Sequence, residues 1–479
     1  MKRLFFYLIC FVYSLMASAQ VDTTQKVDLS RRNSKKQQDK PYLILISADG
    51  FRYDYAKKYK ANTLIKLSEK GVRAEAMIPS YPSVTFPNHY SIVTGMYPSH
   101  HGIVDNKFYD AKRSDFYIVG TRAKVEDGSW YEGTPLWVLA EQQHMLSASF
   151  YWVGSEAAIK GIRPTYYYNY TEKIDIDQRV QVVVNWLSLP ADRRPHLITF
   201  YMPETDHAGH AFGPDSEAMA KAVSFVDSAV YKLTEGVKKT GLKNVNYIFL
   251  SDHGMTQVDT EHSLGMPAAI DTSKFIIPSG GTQVQLYAKN KADIQPTYQN
   301  LKKDTTEYQV YLKTNVPARL HYGESDDVMN RIGDILLIPK WPNAFNFSNK
   351  QPNIGWHGYD PSLVKDMLAT FYAWGPAFKE HLKIPYFENV NVYPLATQLL
   401  GLTYTEKIDG NKELGVKILK KWFFSSVERG GSPSLYANKT LPQQRFPANQ
   451  IANNTIQLSR CNTFLFHAIT MTDSDGIIF

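Results

Sequence analysis

Short apolar runs alternate with amphipathic stretches along the chain from residue 41 onward. A continuous apolar run that is rich in β-branched residues predicts a strand buried on both faces of a parallel sheet. The amphipathic stretches between the runs predict helices. The predicted strands are Tyr42–Ala48, Leu146–Trp152, Leu197–Met202, Val245–Leu250 and Met367–Trp374.

Two stretches show start and stop signals for helices. The first runs through Lys70, with Asn62 as its predicted N-cap and Gly71 as its stop. The second is Glu217–Thr240, with Asp215 or Ser216 as its predicted N-cap and Gly241 as its stop. Strands that alternate with helices predict an α/β fold, a doubly wound and mostly parallel sheet with helices on both faces.

Residues 257–352 have a different pattern, rich in Pro, Gly and Asn, with short alternating runs such as Gln283–Ala288 and Tyr308–Lys313. No helix in this segment is strongly patterned. We expect an inserted α+β subdomain within a catalytic domain that covers residues 41–421. Residues 422–479 are polar, and the sequence assigns no role to this C-terminal tail.

The N-terminus has the features of a secretory signal peptide over residues 1–19. Lys2 and Arg3 precede the apolar run Leu4–Met16, and small residues follow up to a predicted cleavage site after Ala19. The mature protein is therefore expected to be secreted or periplasmic. Cleavage leaves Cys461 as the only cysteine, which excludes an internal disulfide.

Residues 20–40 carry six basic side chains, and this composition predicts a disordered, basic polar linker. Tethering of this segment to an anionic surface is the alternative. The net charge of +7 lies largely in the first 40 residues rather than on one face of the body, so we expect no stable nucleic-acid partner. No apolar window reaches the roughly 18 to 20 residues of a transmembrane segment, and we expect a monomer.

The ends of the predicted strands, and the segment after the predicted insertion, carry side chains that can bind metal ions. In an open parallel sheet, ligands bind beyond the carboxyl ends of the strands, so these side chains are expected to meet. Carboxylates and imidazoles without thiolates favour Zn²⁺ over Mg²⁺ or Ca²⁺, and six ligands fit two ions with three protein ligands each. The predicted ligands are Asp49, Asp206, His210, Asp252, His253 and His357.

Spacing supports two of these pairs. Asp206 and His210 are four residues apart, so one turn of helix places both on the same face. Asp252 and His253 are adjacent and reach one ion only if the chain turns, which Gly254 is expected to permit. Six other histidines match no such pattern and are not assigned: His100, His101, His144, His196, His207 and His262.

A candidate nucleophile lies in the run from Pro82 to Tyr90. Pro87 fits the first turn of a helix, which places Thr85 at the helix N-terminus, where free N–H groups favour a phosphate. A hydroxyl needs activation to act as a nucleophile, and a bound metal lowers the pKa of an oxygen ligand. Asn106 is a neutral amide that can hold a phosphoryl oxygen.

These motifs resemble the nucleotide pyrophosphatase/phosphodiesterase family of the alkaline phosphatase superfamily. The matching stretches occur in the order of the family and cover roughly residues 41 to 402. They are ISADGFRYDY, YPSVTFPNHYSIVTGMYPSHHGIVDN, YWVGSEAAIKGIRP, PETDHAGHAFGP, SDHGM and GWHGYDP.

The resemblance implies an alkaline-phosphatase-like fold and two Zn²⁺ ions with Thr85 between them. One ion would be held by Asp206, His210 and His357, and the other by Asp49, Asp252 and His253. Asn106 and the Phe86 N–H would form an oxyanion pocket. The reaction would pass through a phosphothreonine on Thr85 and release a phosphomonoester.

The implied substrates are small-molecule phosphate diesters or pyrophosphates, with nucleoside 5′-monophosphates as products. In nucleotide-cleaving relatives an aromatic pair holds the base, and the matching positions are Phe86 and Tyr170, with Trp152 nearby. Three alternatives stay open: cleavage of lysophospholipids or glycerophosphodiesters, a phosphomonoesterase, and a silent binding protein on the same fold. No Lys or Arg of these motifs supplies the extra cation that a phosphomonoesterase needs.

Overall fold

The computed structural model describes residues 22–348 and 350–421. The predicted signal peptide and C-terminal tail lie outside these residues. The strands are β1 (Lys26–Val27), β2 (Tyr42–Ala48), β3 (Val72–Ala74), β4 (Met77–Ile78), β5 (Lys107–Asp110), β6 (Asp115–Ile118), β7 (Ser147–Phe150), β8 (Tyr166–Tyr168), β9 (Leu197–Met202), β10 (Val245–Leu250), β11 (Thr256–Gln257), β12 (Phe275–Ile276), β13 (Val284–Ala288), β14 (Tyr308–Leu312), β15 (Ile335–Pro339), β16 (Gly355–Trp356), β17 (Phe371–Trp374), β18 (Leu382–Ile384) and β19 (Phe387–Glu388). The helices are α1 (Lys35–Gln38), α2 (Tyr55–Lys58), α3 (Asn62–Lys70), α4 (Thr85–Thr94), α5 (Pro98–His101), α6 (Arg122–Val125), α7 (Leu136–Gln142), α8 (Ile176–Leu187), α9 (Glu204–Phe212), α10 (Glu217–Lys239), α11 (Ile294–Leu301), α12 (Val392–Leu400) and α13 (Glu413–Ile418).

A nine-stranded sheet forms the centre of the fold, with the strand order β1-β8-β7-β9-β2-β10-β17-β3-β18. Strand β2 pairs in parallel with β9 and β10, and β7 pairs in parallel with β8 and β9. Strands β1 and β17 run antiparallel to their neighbours. The prediction of a mostly parallel α/β sheet is therefore confirmed.

Helices cover both faces of this sheet. Alternate residues of the central strands point to opposite faces, so each central strand contributes to two hydrophobic cores. Leu43 and Leu45 of β2 pack in a core with residues of α4, α7 and α12. Ile44 and Ile46 pack in a second core with residues of α3, α8 and α10. All four side chains are fully buried, and each such burial contributes about 1.5–3 kcal/mol to the hydrophobic stabilisation.

The strands at the sheet centre match their predicted bounds, whereas two others are shorter. Strands β2, β9 and β10 begin and end where the apolar runs do. The run Leu146–Trp152 gives only Ser147–Phe150, and Met367–Trp374 gives only Phe371–Trp374. The bounds of a strand are set by pairing with its neighbours, which the apolar run alone does not specify.

The prediction that Asn62 caps a helix is wrong. Asn62 is the first helical residue of α3, and Ala61 is in the N-cap position. The cap comes instead from the neighbouring helix, because the N–H groups of Thr63 and Leu64 donate to the Asp227 carboxylate at 3.1 and 2.8 Å. Helix α10 behaves as predicted, with Ser216 Oγ accepting a hydrogen bond from the Met219 N–H.

The prediction of a disordered linker before residue 41 is also wrong for residues 22–40. Strand β1 pairs with β8 at the outer edge of the sheet. Asn33 is buried and makes three side-chain hydrogen bonds, to Ala191 O, to Arg194 O and from the Leu146 N–H. Composition showed the basic charge of this segment, but these non-local hydrogen bonds have no signature in the sequence.

A second, antiparallel sheet lies within the segment that was predicted as an insertion. Its strand order is β12-β13-β15-β14, and it has its own hydrophobic core, which includes Val284, Leu286, Ile335 and Leu337. Helix α11 belongs to the same segment, although the pattern gave no strong helix signal there. No helix in the described part of the chain is both long enough and apolar enough to cross a membrane.

Candidate active site

The six predicted metal ligands lie together at the carboxyl ends of the central strands. Asp49 follows β2, and Asp252 and His253 follow β10. Asp206 and His210 lie on α9, directly after β9, and share one face of that helix as predicted. His357 follows the short strand β16, which pairs with β11 after the end of β10.

Three buried carboxylates converge in this site. Asp49, Asp206 and Asp252 are each 3% exposed or less. Each keeps one oxygen that accepts no hydrogen bond within the described residues: Asp49 Oδ1, Asp206 Oδ1 and Asp252 Oδ2. Burial, together with the charges of Asp252 and Asp206, raises the pKa of Asp49 well above its usual range. Buried like charges of this kind are costly unless a cation compensates them.

Hydrogen bonds to backbone carbonyls fix which nitrogen of each histidine carries the proton. The Nδ1 atoms of His210, His253 and His357 lie 2.8–3.0 Å from the carbonyl oxygens of Gly355, Gly254 and Ser83. A carbonyl can only accept, so each Nδ1 donates, and each Nε2 carries a lone pair when the imidazole is neutral.

These lone pairs face other acceptors. His210 Nε2 and His357 Nε2 are 3.1 Å apart, and His253 Nε2 lies 3.0 Å from Asp252 Oδ2. Burial, and then the neighbouring His253 and His210, lower the pKa of His357 well below its usual value, so this imidazole is neutral. Acceptors facing one another at such distances are the arrangement of a metal site whose histidines are oriented by carbonyl partners.

The donor atoms form overlapping clusters within which all ligand atoms lie within 4.8 Å of one another. One cluster is Asp206, His210 and His357, as the resemblance implies. Asp49 belongs to two others, one with Asp206 and His253 and one with His89 and Asp252. The residues present therefore fit divalent metal ions held by carboxylate and imidazole.

Thr85 lies beside these clusters at the start of α4. Its side chain is buried, and its Oγ1 is 3.2 Å from His253 Nε2. Helix α4 begins at Thr85 and has Pro87 in its first turn, as the sequence predicted. The hydroxyl thus lies between a helix N-terminus and the candidate metal ligands.

The family model described as "Type I phosphodiesterase / nucleotide pyrophosphatase" matches residues 43–360. This span contains all six predicted ligands and Thr85. The chain belongs to this family.

Several curated phosphodiesterases are similar to the chain. Human ectonucleotide pyrophosphatase/phosphodiesterase family member 1 is 36% identical over 76% of this chain and 40% of its own length. The Naja atra venom phosphodiesterase is 34% identical over 83% of this chain. An uncharacterized pyrophosphatase/phosphodiesterase of Schizosaccharomyces pombe is 32% identical over 81% of this chain and 84% of its own length. The chain thus spans only about two fifths of the length of the curated relatives that it matches first.

Solved structures of relatives have the same fold. Human ectonucleotide pyrophosphatase/phosphodiesterase 5 superposes with a TM-score of 0.74 at 27% identity, over 79% of this chain and 100% of the other. The murine protein, solved as an inactive threonine-to-alanine variant in complex with AMP, gives a TM-score of 0.73 at 27% identity, over 80% of this chain and 100% of the other. The alkaline-phosphatase-like fold is therefore confirmed for this nucleotide pyrophosphatase/phosphodiesterase family member.

Asn106 lies next to the helix that begins with Thr85. Asn106 Oδ1 accepts a hydrogen bond from the Phe86 N–H at 3.0 Å, so the two groups predicted to hold a phosphoryl oxygen contact each other. Asn106 is fixed in turn by Asp105, whose Oδ1 accepts the Asn106 N–H at 2.7 Å. Both groups lie at the Thr85 end of α4.

An aromatic cleft of about 270 Å³ opens beside Thr85 in this family member. Phe86, Trp152 and Tyr170 all line it, so the three predicted substrate-binding side chains meet in one place. Trp152 is also part of the core, where its Nε1–H donates to the His89 carbonyl at 3.1 Å. The remaining lining residues are Thr85, Val119, Gly120, Arg122, Val125, Tyr151, Val153, Glu156 and Tyr201.

Sequence reasoning missed two charged residues of the cleft, Arg122 and Glu156. Arg122 lies outside the family motifs, and it forms an ion pair with Glu126 at 2.6 Å. Glu156 follows the cleft residue Trp152 by four positions, but its sequence context gave no indication of its burial. Burial raises the pKa of Glu156 to about 7, against the effect of the Tyr170 N–H, which donates to its carboxylate at 2.7 Å.

Sequence reasoning also missed His89, which is fully buried on α4. Its Nδ1 lies 3.1 Å from the Thr85 carbonyl oxygen and 3.2 Å from Asp252 Oδ2, and its Nε2 lies 2.9 Å from Ser47 Oγ. His89 therefore connects the start of α4 to Asp252, one of the candidate metal ligands. The spacing of four residues from Thr85 was the available signal, because it places both on one face of the helix.

Gly254 permits the arrangement of Asp252 and His253 for a reason other than the one predicted. Its backbone is not in the left-handed region, but a Cβ atom would lie 2.0 Å from the Asp366 carbonyl oxygen. The requirement is close approach between two segments rather than conformational freedom. The prediction of a turn that depends on an unusual glycine conformation is wrong.

Proposed function

We propose that this chain is an exported, zinc-dependent nucleotide pyrophosphatase/phosphodiesterase that uses Thr85 as its nucleophile. The observation that carries the proposal is the position of Thr85 Oγ1, 3.2 Å from His253 Nε2 and among acceptor groups that need a cation. The aromatic cleft beside it favours a substrate with a planar base. The relative solved in complex with AMP supports the same substrate class.

Two Zn²⁺ ions are the proposed cofactors. Their ligands would be Asp206, His210 and His357 for one ion, and Asp49, Asp252 and His253 for the other. When bound, the two cations supply positive charge that lowers the pKa of the Thr85 hydroxyl and offsets the charge of the phosphoryl group.

The residues of the chain supply the nucleophile and the binding groups. Thr85 Oγ1 gives its proton to solvent and forms a bond to phosphorus while the bond to the leaving oxygen breaks. The leaving oxygen keeps the electron pair and takes up a proton from solvent. The Phe86 N–H is engaged with Asn106 Oδ1, so the Asn106 Nδ2 amide group is the proposed donor to a phosphoryl oxygen, and the Phe86 N–H would join it only on leaving Asn106 Oδ1. Water then hydrolyses the phosphothreonine, which releases a nucleoside 5′-monophosphate and restores the hydroxyl.

The nucleophile is tested by Thr85→Ala. We expect this variant to keep its metal content and to lose about 10³-fold or more in kcat, because only the attacking oxygen is removed. Thr94→Ala, at the other end of the same helix, is the matched control and should retain activity. Nearly full turnover by Thr85→Ala would contradict the proposal.

The substrate class is tested with three chromogenic esters on one preparation whose metal content is measured. We expect p-nitrophenyl thymidine 5′-phosphate to be cleaved fastest, since it offers a base for the cleft. Preference for p-nitrophenyl phosphorylcholine would support a lipid-type diester instead. Preference for p-nitrophenyl phosphate would support a phosphomonoesterase.

Export is proposed from the sequence of residues 1–19. N-terminal sequencing of the mature protein should give a chain that begins at Gln20. A mature protein that begins at Met1 and stays with the cytoplasmic fraction would contradict this part of the proposal.

A further inference from the structure

The strand β13 begins at the junction between the small antiparallel sheet and the active site. The two residues before it, Thr282 and Gln283, are both about 5% exposed. Thr282 Oγ1 donates to the His357 carbonyl at 3.0 Å. Gln283 Nε2 donates to Asp105 Oδ2 at 2.6 Å. The small sheet thus contacts both the metal-binding side and the Asn106 side of the site.

A series of hydrogen bonds connects Gln283 to the start of α4. Asp105 accepts from Gln283 on one oxygen and from the Asn106 N–H on the other, at 2.7 Å. Asn106 Oδ1 then accepts the Phe86 N–H at 3.0 Å. This chain of contacts connects the small sheet to the residue that follows the proposed nucleophile.

The orientation of the Gln283 amide is fixed. The Tyr81 hydroxyl donates to Gln283 Oε1 at 3.1 Å, which directs the Nε2 donor to Asp105. Gln285 Nε2 also lies near Asp105 Oδ2, at 3.4 Å. Since the amide and N–H groups that contact Asp105 are all donors, the geometry fits the ionised carboxylate.

We propose that Gln283 is a positioning residue for the phosphoryl-binding group, because it holds Asp105 and through it Asn106 beside Thr85. The inference rests on the proposed function, since it concerns the same reaction. Gln283 does not touch the reacting atoms and acts only through Asp105 and Asn106. The small sheet therefore takes part in catalysis rather than only packing against the main sheet.

Protonation of Asp105 provides a readout that a purely structural role would not change. Burial raises the pKa of Asp105 to about 6, and the hydrogen bonds from Gln283, the Asn106 N–H and Gln285 act in the opposite direction. The titratable groups facing Asp105 are Tyr81, Tyr287 and Tyr322. Burial raises the pKa of all three tyrosines well above their usual value, so they stay neutral in this range.

The test is Gln283→Leu, which removes both hydrogen-bonding groups at similar volume. We expect kcat to fall by about 10-fold to 100-fold with unchanged metal content, as for a misplaced catalytic group. Loss of a donor to Asp105 should also move the acid limb of the pH–kcat profile to higher pH. Gln309→Leu makes the same change in β14 of the same sheet and should alter neither quantity.

A second variant, Asp105→Asn, keeps the inference testable if Gln283→Leu does not fold. It should lower kcat and abolish the acid limb near pH 6, and the double variant should be no worse than the more impaired single variant. Wild-type kcat and an unmoved acid limb in a folded Gln283→Leu enzyme would overturn the inference. A loss of kcat that only follows a loss of bound metal would overturn it as well.

The rate of the wild-type protein separates the two proposals. If the wild type cleaves none of the three esters, the proposed function fails. In that case the affinity of Thr85→Ala for AMP replaces kcat as the readout. An equal AMP affinity with and without Gln283→Leu would then overturn the inference by itself.

Discussion

At the scale of single residues, the site is defined by proton positions that three carbonyl groups set. Because Gly355, Gly254 and Ser83 each accept from an Nδ1–H, the Nε2 atoms of the neutral imidazoles are left as acceptors that face one another or a carboxylate. The convergence of the six candidate ligands could be predicted from their positions around the strand ends. The carbonyl partners of His210 and His357 could not, because Gly355 and Ser83 are distant from them in sequence.

The pKa of Glu156 gives a prediction on stability. Glu156 holds its proton up to about pH 7 in the folded chain, against a usual pKa of 4.5, so folding binds a proton between these values. The free energy of unfolding of the wild type should therefore fall as the pH rises through this interval. Glu156→Gln should match the wild-type melting temperature near pH 4 and exceed it near pH 8.

The exposed residue Glu261 offers a matched control for this experiment. Glu261→Gln should leave the pH dependence of the melting temperature unchanged. If the melting temperatures of the wild type and Glu156→Gln depended on pH in the same way, the prediction for Glu156 would be contradicted.

Tyr170 gives a prediction on binding. If its ring stacks on the base, Tyr170→Ala should weaken AMP binding by about 1–3 kcal/mol, a roughly 5-fold to 150-fold rise in Kd. Tyr170→Phe keeps the ring and removes the hydroxyl, which donates to Glu172 at 3.1 Å, so it should bind nearly as well as the wild type. Calorimetry on the Thr85→Ala background measures this without turnover. Equal Kd values for Tyr170→Ala and Tyr170→Phe would remove Tyr170 from the base site.

At the scale of elements, the strands at the sheet centre were predicted to the residue and the peripheral segments were not. Strands β2, β9 and β10 are buried on both faces, so an unbroken apolar run marks their whole length. The segment before β2 is held by polar contacts such as those of Asn33, which no apolar pattern shows. The cap of α3 comes from Asp227 on another helix, so the local sequence pointed to the wrong residue.

Gly254 gives a prediction at this scale. Gly254→Ala would place a methyl group 2.0 Å from the Asp366 carbonyl oxygen, so one of the two segments must shift. We expect a lower melting temperature and weaker metal binding, because the shift moves the adjacent Asp252 and His253. Gly265→Ala is the control, since no heavy atom lies within 4 Å of its Cβ position. Equal metal affinity of the two variants would contradict this account.

At the scale of the whole molecule, the small antiparallel sheet is fastened to the main body by a buried ion pair. Arg331 is fully buried, and its Nε donates to Asp110 Oδ2 at 2.9 Å. Its Nη1 donates to the carbonyl oxygens of Gly102 and Trp130 at 2.8 and 2.7 Å. The sequence predicted an insertion but not this connection, because an isolated arginine has no recognisable partner until the chain is folded.

Arg331 gives a prediction on global stability. Arg331→Met should lower the free energy of unfolding by about 3 kcal/mol, because Asp110 would keep its charge in a buried place. Arg113, 3.5 Å from the same carboxylate, offsets part of the loss. Adding Asp110→Leu should restore most of the stability, as chemical denaturation would measure. A double variant that is less stable than Arg331→Met would contradict the explanation by unpaired charge.

The pairing of β1 with β8 has a consequence for handling the protein. Strand β8 would otherwise leave its backbone N–H and carbonyl groups open along the outer side of the sheet, and such an edge recruits strands from other molecules. Lys26 and Val27 of β1 pair with this side of β8 and cover the edge. Solubility and freedom from aggregation should therefore depend on residues 22–34 far more than their distance from the catalytic chemistry suggests.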